Sequence, residues 1–407
     1  MIAFIRKLKL FFQQYSKEMF WFWRYAITKK LRKRTFNSRK VLLLRLDLIG
    51  DCTMFTDAAY AIREAYMDRE IAVVCLSSTR PIFERLGIFD RIIEVGFRPE
   101  AVQWNMVGEL ISRLQDDEYD ILLQPQLSKF PIADIIVAAV KCNQRISIEP
   151  LSPNGNSSPA WIKMTNFLFD QLIAYPRGNV SEFDYYKSFV QGACDPLYKT
   201  KMPHLPYEKQ NIVQGEYYVL YPGGSMTQKY WSLDRYAAVA EYIHRETGLV
   251  GVILASEKEK FVSQDLKAHL NKSVLPFIMD LTGKTTVSQV IDIIGNAEFV
   301  VTNDTSGVHI AAATGTPSVA IAGGWHFKRF LPYSIEDIQQ GDRLPLVAYT
   351  QLPCYNCDWN LDVISKTNPE CFQQVRVGMQ ATCIPAVTVQ QVIELVDYII
   401  DEEGLKQ

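Results

Sequence analysis

The chain has 407 residues, 48% of them hydrophobic and 22% charged, with a formal net charge of -2. That length and balance fit two ordinary domains with real cores and exclude a disordered or low-complexity chain. The small net charge hides an asymmetry: residues 1–40 hold 12 Lys and Arg against one acid, Glu18, leaving 31 basic and 44 acidic residues in the rest.

No apolar run approaches the roughly 18 residues that a membrane-spanning helix requires. The first residues are equally unlike an export signal, because Arg6, Lys7, Lys9, Gln13, Gln14 and Lys17 interrupt the apolar positions and no small-residue cleavage site follows. Reduced thiols are therefore expected for the eight cysteines. Nothing points to a nucleic-acid partner.

In chain order, residues 1–39 form a basic leader. Its stretch FIRKLKLFFQQYSKEMFWFWRYAITKKLRKR interleaves aromatics with cations and contains neither Gly nor Pro. Such a stretch suits an amphipathic helix lying on an anionic membrane surface, the alternative being a helix that docks on a partner or caps the body. VLLLRLDLIGD reads as a buried strand running into a Gly turn, and CTMFTDAAYAIREAY as the next helix. IAVVCLSS and IIEVG read as strands around the short helix PIFERLG. A helix over Val102–Leu114, strand YDILLQPQ, helix FPIADIIVAAVKC and strand RISI follow. Pro150–Gly155 reads as a loop, and 160–195 as helices crossing toward a second domain.

A second alternating series opens with EYYVLYPGG. It continues through helix LDRYAAVAEYIHRETG, strand LVGVILAS, helix EKFVSQDLKAHL, PFIMDLTG, helix VSQVIDIIGNA and strand EFVVTN. Strand and helix alternating at this spacing predict an α/β fold of two doubly wound, Rossmann-like halves. The expected division is 40–205 for the first domain and 206–385 for the second, with a Cys-containing insertion at 350–385. A final helix in 386–407 is expected to pack back across them.

Ligands of such sheets bind at the carboxyl ends of strands, and three turns fall there. The first is Ile49-Gly50-Asp51. The second, Tyr221-Pro222-Gly223-Gly224-Ser225, has glycines that allow close backbone approach, hydroxyls at Ser225 and Thr227, and a point charge at Lys229 for phosphate. The third, Asn303-Asp304-Thr305-Ser306-Gly307, crowds small polar groups where a helix must start, and exposed N–H groups there suit an anion. Capping alone also accounts for Asp304, Thr305 or Asp51, and packing alone for His309.

The order and spacing of VLLLRLDLIGD, YPGGSMTQKYW and LTGKTTVSQVIDIIGNAEFVVTNDTSGVHIAAATGTPSVAIAGG resemble glycosyltransferase family 9, the heptosyltransferases of lipopolysaccharide assembly. Lys229-Tyr230-Trp231 matches the family's Lys-x-Trp block. Asp304, Thr305 and His309 match its Asp-Thr-Gly-x-x-His block, with Ser306 where Gly is usual and Gly307 where Pro is common. The resemblance implies a GT-B fold with a cleft between two facing Rossmann-like domains. It implies inverting transfer of a sugar, usually from ADP-heptose, to a lipid-linked saccharide at the cytoplasmic face of the inner membrane, with no metal required for catalysis. Asp51 would be the general base. Lys229, Gly223, Gly224, Ser225, Thr227, Thr305, Ser306 and Gly307 would hold and stabilise the leaving diphosphate, while Asp304 and His309 line the donor sugar. A sugar-nucleotide 2-epimerase and a catalytically silent sugar-nucleotide binding protein are the alternatives.

Cys354-x2-Cys357, with Cys371 and Cys383 beyond, has the donor set for a structural zinc site; reduced packed thiols and disulfides are the other readings.

Overall fold

Val, Leu and Ile runs mark the buried central strands, and among the described residues twelve parallel strands build two six-stranded sheets. The computed structural model describes residues 16–26, 35–150, 157–178, 180–358, 360–377 and 379–406. Most of the leader and most of the Pro150–Gly155 loop fall outside these. Among the described residues no helix is long and apolar enough to cross a membrane.

The first sheet contains β1 (Lys40–Arg45), β2 (Glu70–Leu76), β3 (Arg91–Val95), β4 (Tyr119–Gln124), β5 (Cys142–Ile148) and β6 (Gln171–Ile173), in the order β3-β2-β1-β4-β5-β6. The second contains β7 (Tyr217–Tyr221), β8 (Val250–Ile253), β9 (Ile278–Asp280), β10 (Val300–Asn303), β11 (Ser318–Ile321) and β12 (Leu346–Ala348), in the order β12-β11-β10-β7-β8-β9. Each order reverses direction beside the strand that opens its series, β1 or β7. That reversal opens a crevice at the carboxyl edge of each sheet.

Two compact units result. The first comprises the described residues up to Leu48, with Ala58–Pro176 and Tyr185–Tyr198. The second comprises Ile49–Asp57, Arg177–Asp184 and the chain from Lys199 onward. The helix expected after β1 is broken in two, Ile49–Met54 and Thr56–Ala65. Hydroxyls near the break bond to the backbone: Thr53 Oγ1 donates to the Ile49 carbonyl at 2.8 Å and Thr56 Oγ1 to that of Thr53 at 2.9 Å. The region expected to be helical near 170 contains the edge strand β6, whose three residues are too few to show a period.

In the first unit, the helix over 16–26 buries Phe22 and Ala26 in the core, with Phe22 against Trp161 at 5.4 Å between ring centroids. Its Phe20 and Trp23 remain exposed and, with Arg24, line an open groove. In the second unit, the C-terminal helix Val389–Glu403 carries a Thr388/Gln391 capping box and places Val392, Val396, Ile399 and Ile400 in the core.

The buried Arg145 of β5 terminates the helix Pro131–Ala139. Its guanidinium donates to the carbonyls of Val137 at 3.1 Å, Cys142 at 3.2 Å and Val140 at 2.7 Å, groups near a helix end that lack helical partners. Arg145→Met strands these carbonyls and is expected to lower unfolding stability by about 2–4 kcal/mol in urea titration.

Candidate active site

In the second unit the two strands at the crossover, β7 and β10, lie side by side and deliver two of the three turns together. Asn303, at the end of β10 and fully buried, fixes them. Its amide nitrogen donates to the Pro222 carbonyl, and its carbonyl oxygen accepts the Trp231 backbone N–H at 3.2 Å and the Tyr236 hydroxyl at 3.0 Å. Trp231 is itself buried and donates its indole N–H to the Val387 carbonyl at 2.9 Å, so the Trp of the Lys-x-Trp block is an anchor for the turn.

Held this way, Lys229 meets Asp304. The ammonium lies 3.5 Å from Asp304 Oδ2, 3.4 Å from its carbonyl oxygen and 5.0 Å from the centre of the Trp325 ring. These polar contacts are long for charge-assisted bonds, so the ammonium retains donor capacity for an anion. Burial alone would raise the Asp304 carboxyl. The nearby Lys229, His309 and His326 outweigh it and hold the group below the ordinary carboxylate value. Burial lowers His309 to about 4, with the Lys229 charge adding and the Asp304 charge opposing. It lowers His326 to about 3, aided by Arg329 and Lys229. Both imidazoles are therefore neutral at pH 7, and Nδ1 of His309 pairs with the Tyr333 hydroxyl at 2.8 Å.

The helix Ser306–Thr314 starts beside this pair and ends at Gly315, whose φ of 77° is left-handed. Thr305 stands at its N-cap, but its side chain makes no capping bond, which removes the plain capping explanation for that hydroxyl. Ser306 Oγ lies 3.4 Å from the Tyr221 hydroxyl. Gly307 has no room for a side chain, since a Cβ there would sit 2.8 Å from Tyr221 Cγ.

The Gly50-Asp51 turn also reaches this helix. It belongs to the helix Ile49–Met54, which is grouped with the second unit and packs on Ser306–Thr314. A Cβ on Gly50 would lie 3.0 Å from His309 Cδ2 and 3.6 Å from Ser306 Cα. Asp51 follows immediately, half-buried, in the first turn.

The Pro-Gly-Gly turn departs from expectation. The Gly224 N–H donates to Glu259 Oε1 at 2.6 Å, and the Tyr230 hydroxyl contacts the same oxygen at 2.8 Å and the Gly224 carbonyl at 2.7 Å. A Cβ on Gly223 would collide with the same carboxylate. Glu259 is a site residue that sequence reasoning missed. Its signal, Ser-x-x-Glu, reads only as the capping box that it also forms with Ser256. Ser225 and Thr227 are exposed.

Cys354, Cys357, Cys371 and Cys383 are all buried and none is bridged. Among the described residues no group of three or more His, Cys, Asp or Glu is disposed to hold a metal ion, while Cys371, Cys354 and Cys357 all act electrostatically on Cys383. Three of the thiols pack in the apolar core, and burial pushes Cys383 up to about 12.

Comparison with known proteins gives this arrangement a context. Residues 153–348 match the profile of glycosyltransferase family 9 (heptosyltransferase). The chain is 32% identical over 120 residues to lipooligosaccharide heptosyltransferase 2 of Haemophilus influenzae, an alignment spanning 29% of this chain and 34% of that protein. It is 22% identical over 293 residues to the Haemophilus ducreyi lipooligosaccharide heptosyltransferase 2, spanning 70% of this chain and 82% of the relative. The E. coli ADP-heptose lps heptosyltransferase II superposes with a TM-score of 0.64 at 16% identity, covering 90% of this chain and 99% of that structure. The shared architecture is the GT-B α/β fold.

His309 makes the site sensitive to acid. Its folded value near 4 lies below the ordinary 6.5, so its stabilising contribution is complete above about pH 6.5 and is lost as pH falls toward 4. Urea midpoints measured between about pH 7 and about pH 4.5 should fall, His309 contributing the equivalent of about 2–3 kcal/mol, and His309→Gln should lessen that slope and leave the part due to His326.

Proposed function

Since this chain belongs to glycosyltransferase family 9 and is a glycosyltransferase, we propose that it moves a heptose from a nucleoside diphosphate donor to a lipopolysaccharide-type acceptor, with inversion. The membership speaks against the epimerase and silent-binding alternatives. The observation that carries the reading is the Lys229–Asp304 pair beside the N-terminus of the helix Ser306–Thr314. An ammonium with long contacts and the positive end of a helix stabilise charge as it develops on a departing diphosphate. Ser306 and Thr305 add hydroxyls at the same end, and Ser225 and Thr227 do so from the exposed turn. Asp304, whose carboxyl is kept ionised, accepts hydrogen bonds from donor sugar hydroxyls, with His309 beside it.

In the chemical step, Asp51 takes the proton of the acceptor hydroxyl as its oxygen attacks the anomeric carbon. The bond from that carbon to the diphosphate breaks, and the diphosphate leaves with the electron pair. The support for Asp51 is its half-buried carboxylate next to Gly50, the residue that abuts Ser306 and His309. Phe20, Trp23 and Arg24, exposed on a helix whose other side is docked, support peripheral attachment to anionic lipid at the cytoplasmic face of the inner membrane.

Asp51→Asn should reduce sugar transfer by at least about 10³-fold while leaving the thermal shift produced by ADP intact. Lys229→Met should weaken both, with kcat down about 10²-fold. An Asp51→Asn protein that turns over within tenfold of wild type removes the base assignment.

A further inference from the structure

The segment that follows β11 carries a tyrosine, Tyr333, that the transfer chemistry above does not use. It lies in the second unit, as do Phe183, His309 and the Gly50-Asp51 turn. The segment is tied down at Arg329, whose carbonyl accepts the Glu182 N–H at 2.8 Å and whose guanidinium meets the Glu182 carboxylate at 2.9 Å. The neighbouring Phe183 packs edge-on against the Tyr333 ring, 4.7 Å between centroids. Tyr333 in turn lies almost parallel to the His309 imidazole, the planes 6° apart, with its hydroxyl 2.8 Å from Nδ1.

That contact sets more than a ring position. A neutral imidazole has one N–H and one bare nitrogen, and the partner of one nitrogen decides which is which. If Nδ1 carries the proton, the Tyr333 hydroxyl accepts it and leaves its own proton without a partner among the described residues. If the hydroxyl donates to a bare Nδ1, both polar groups are used and the imidazole proton sits on Nε2. The second arrangement wins, because a donor withdrawn from water and left unused has nothing to offset its lost hydration. Burial holds the Tyr333 hydroxyl well above its ordinary value and brings His309 down to about 4, so the phenol is protonated and the imidazole neutral at pH 7. Asp304 and Lys229, the charges that act on His309, oppose each other.

The Nε2 side of the ring is turned toward the residues of the transfer step. A Cβ on Gly50 would lie 3.0 Å from His309 Cδ2, 3.8 Å from its Nε2 and 3.6 Å from Ser306 Cα, and Asp51 is the next residue. We propose that Tyr333 is a positioning residue that locks His309 in the Nε2–H tautomer, so that the imidazole presents one fixed donor to an oxygen of the sugar nucleotide. The lock rests on the geometry of the pair; the identity of the ligand rests on the glycosyltransferase reading. A site built to hydrogen-bond one oxygen discriminates strongly against an analogue that lacks it, which makes the Tyr333–His309 pair a determinant of donor choice.

The tautomer is read directly by long-range proton–nitrogen NMR on the full chain carrying nitrogen-15 histidine, near neutral pH, with the His309 signals assigned by their loss in His309→Gln. Wild type should show a protonated Nε2 and a bare, hydrogen-bonded Nδ1. Tyr333→Phe keeps the ring and its contact with Phe183 and removes only the hydroxyl; it should give a mixture of both tautomers. With ADP-heptose and a heptose-deficient core oligosaccharide, kcat of this variant should fall about fivefold to tenfold while acceptor KM stays within about twofold. Glutamine at 309 supplies an amide N–H near the Nε2 position and has no tautomer to set, so in the His309→Gln background Tyr333→Phe should cost less than about twofold.

A tyrosine with a merely structural role lowers kcat by the same factor in both backgrounds, and that result overturns the proposal. A tautomer unchanged in Tyr333→Phe overturns it as well. Should Tyr333→Phe fail to fold, the wild-type spectrum decides: a protonated Nε2 upholds the lock and a protonated Nδ1 refutes it. A wild type whose Nε2–H tautomer is lost in Tyr333→Phe but which transfers no heptose overturns the proposed function and leaves the lock standing.

Discussion

The second unit depends on one buried amide. Asn303 on β10 engages three separate segments: the Pro222 carbonyl before the Gly-Gly turn, the Trp231 backbone after it, and the Tyr236 hydroxyl on the following helix. Its donor and its acceptor are both used, at a fully buried position where an unmet partner is most costly. Neither Asp, which has no donor, nor Leu, which has neither group, can close the same set of bonds. Because Asn303 immediately precedes Asp304, fixing the amide fixes the carboxylate, and through Trp231 it also fixes Lys229 two residues earlier.

That constraint explains the division of labour in the Lys-x-Trp block. Trp231 is a buried anchor with its indole bonded to Val387, and Lys229 is the group presented at the surface of the anchored turn. The glycines are likewise steric. Gly307 lies where a Cβ would clash with Tyr221 and Gly50 where one would press on His309, so each sets a packing distance and brings a polar neighbour, Ser306 or Asp51, to the same helix end.

Much of this was legible in the sequence because it depends on local signals. Strand runs such as VLLLR and VVTN, the left-handed Gly248 and Gly315, and the start of a helix at Ser306 follow from period and turn chemistry within a few residues. The family motifs brought Lys229 and Asp304 onto one page but not into contact, since 75 positions separate them and their pairing is tertiary. Glu259 escaped because its visible role as a capping carboxylate concealed its bond to Gly224, 35 residues away. The cysteines advertise a metal cage by spacing, and the fold buries three of them in an apolar core where a thiol also packs as a small hydrophobe.

The bond from Gly224 to Glu259 has a consequence for how the site meets its ligand. With Tyr230 clamped to the same carboxylate, the Gly-Gly turn is preorganised by the protein itself, and its loss of backbone freedom belongs to folding, not to association. If the proposed donor docks at this turn, it meets a rigid wall instead of a loop to be ordered. Its recognition therefore resembles docking to a finished surface, with selectivity set by shape and charge already in place and little adaptability toward donors of different outline.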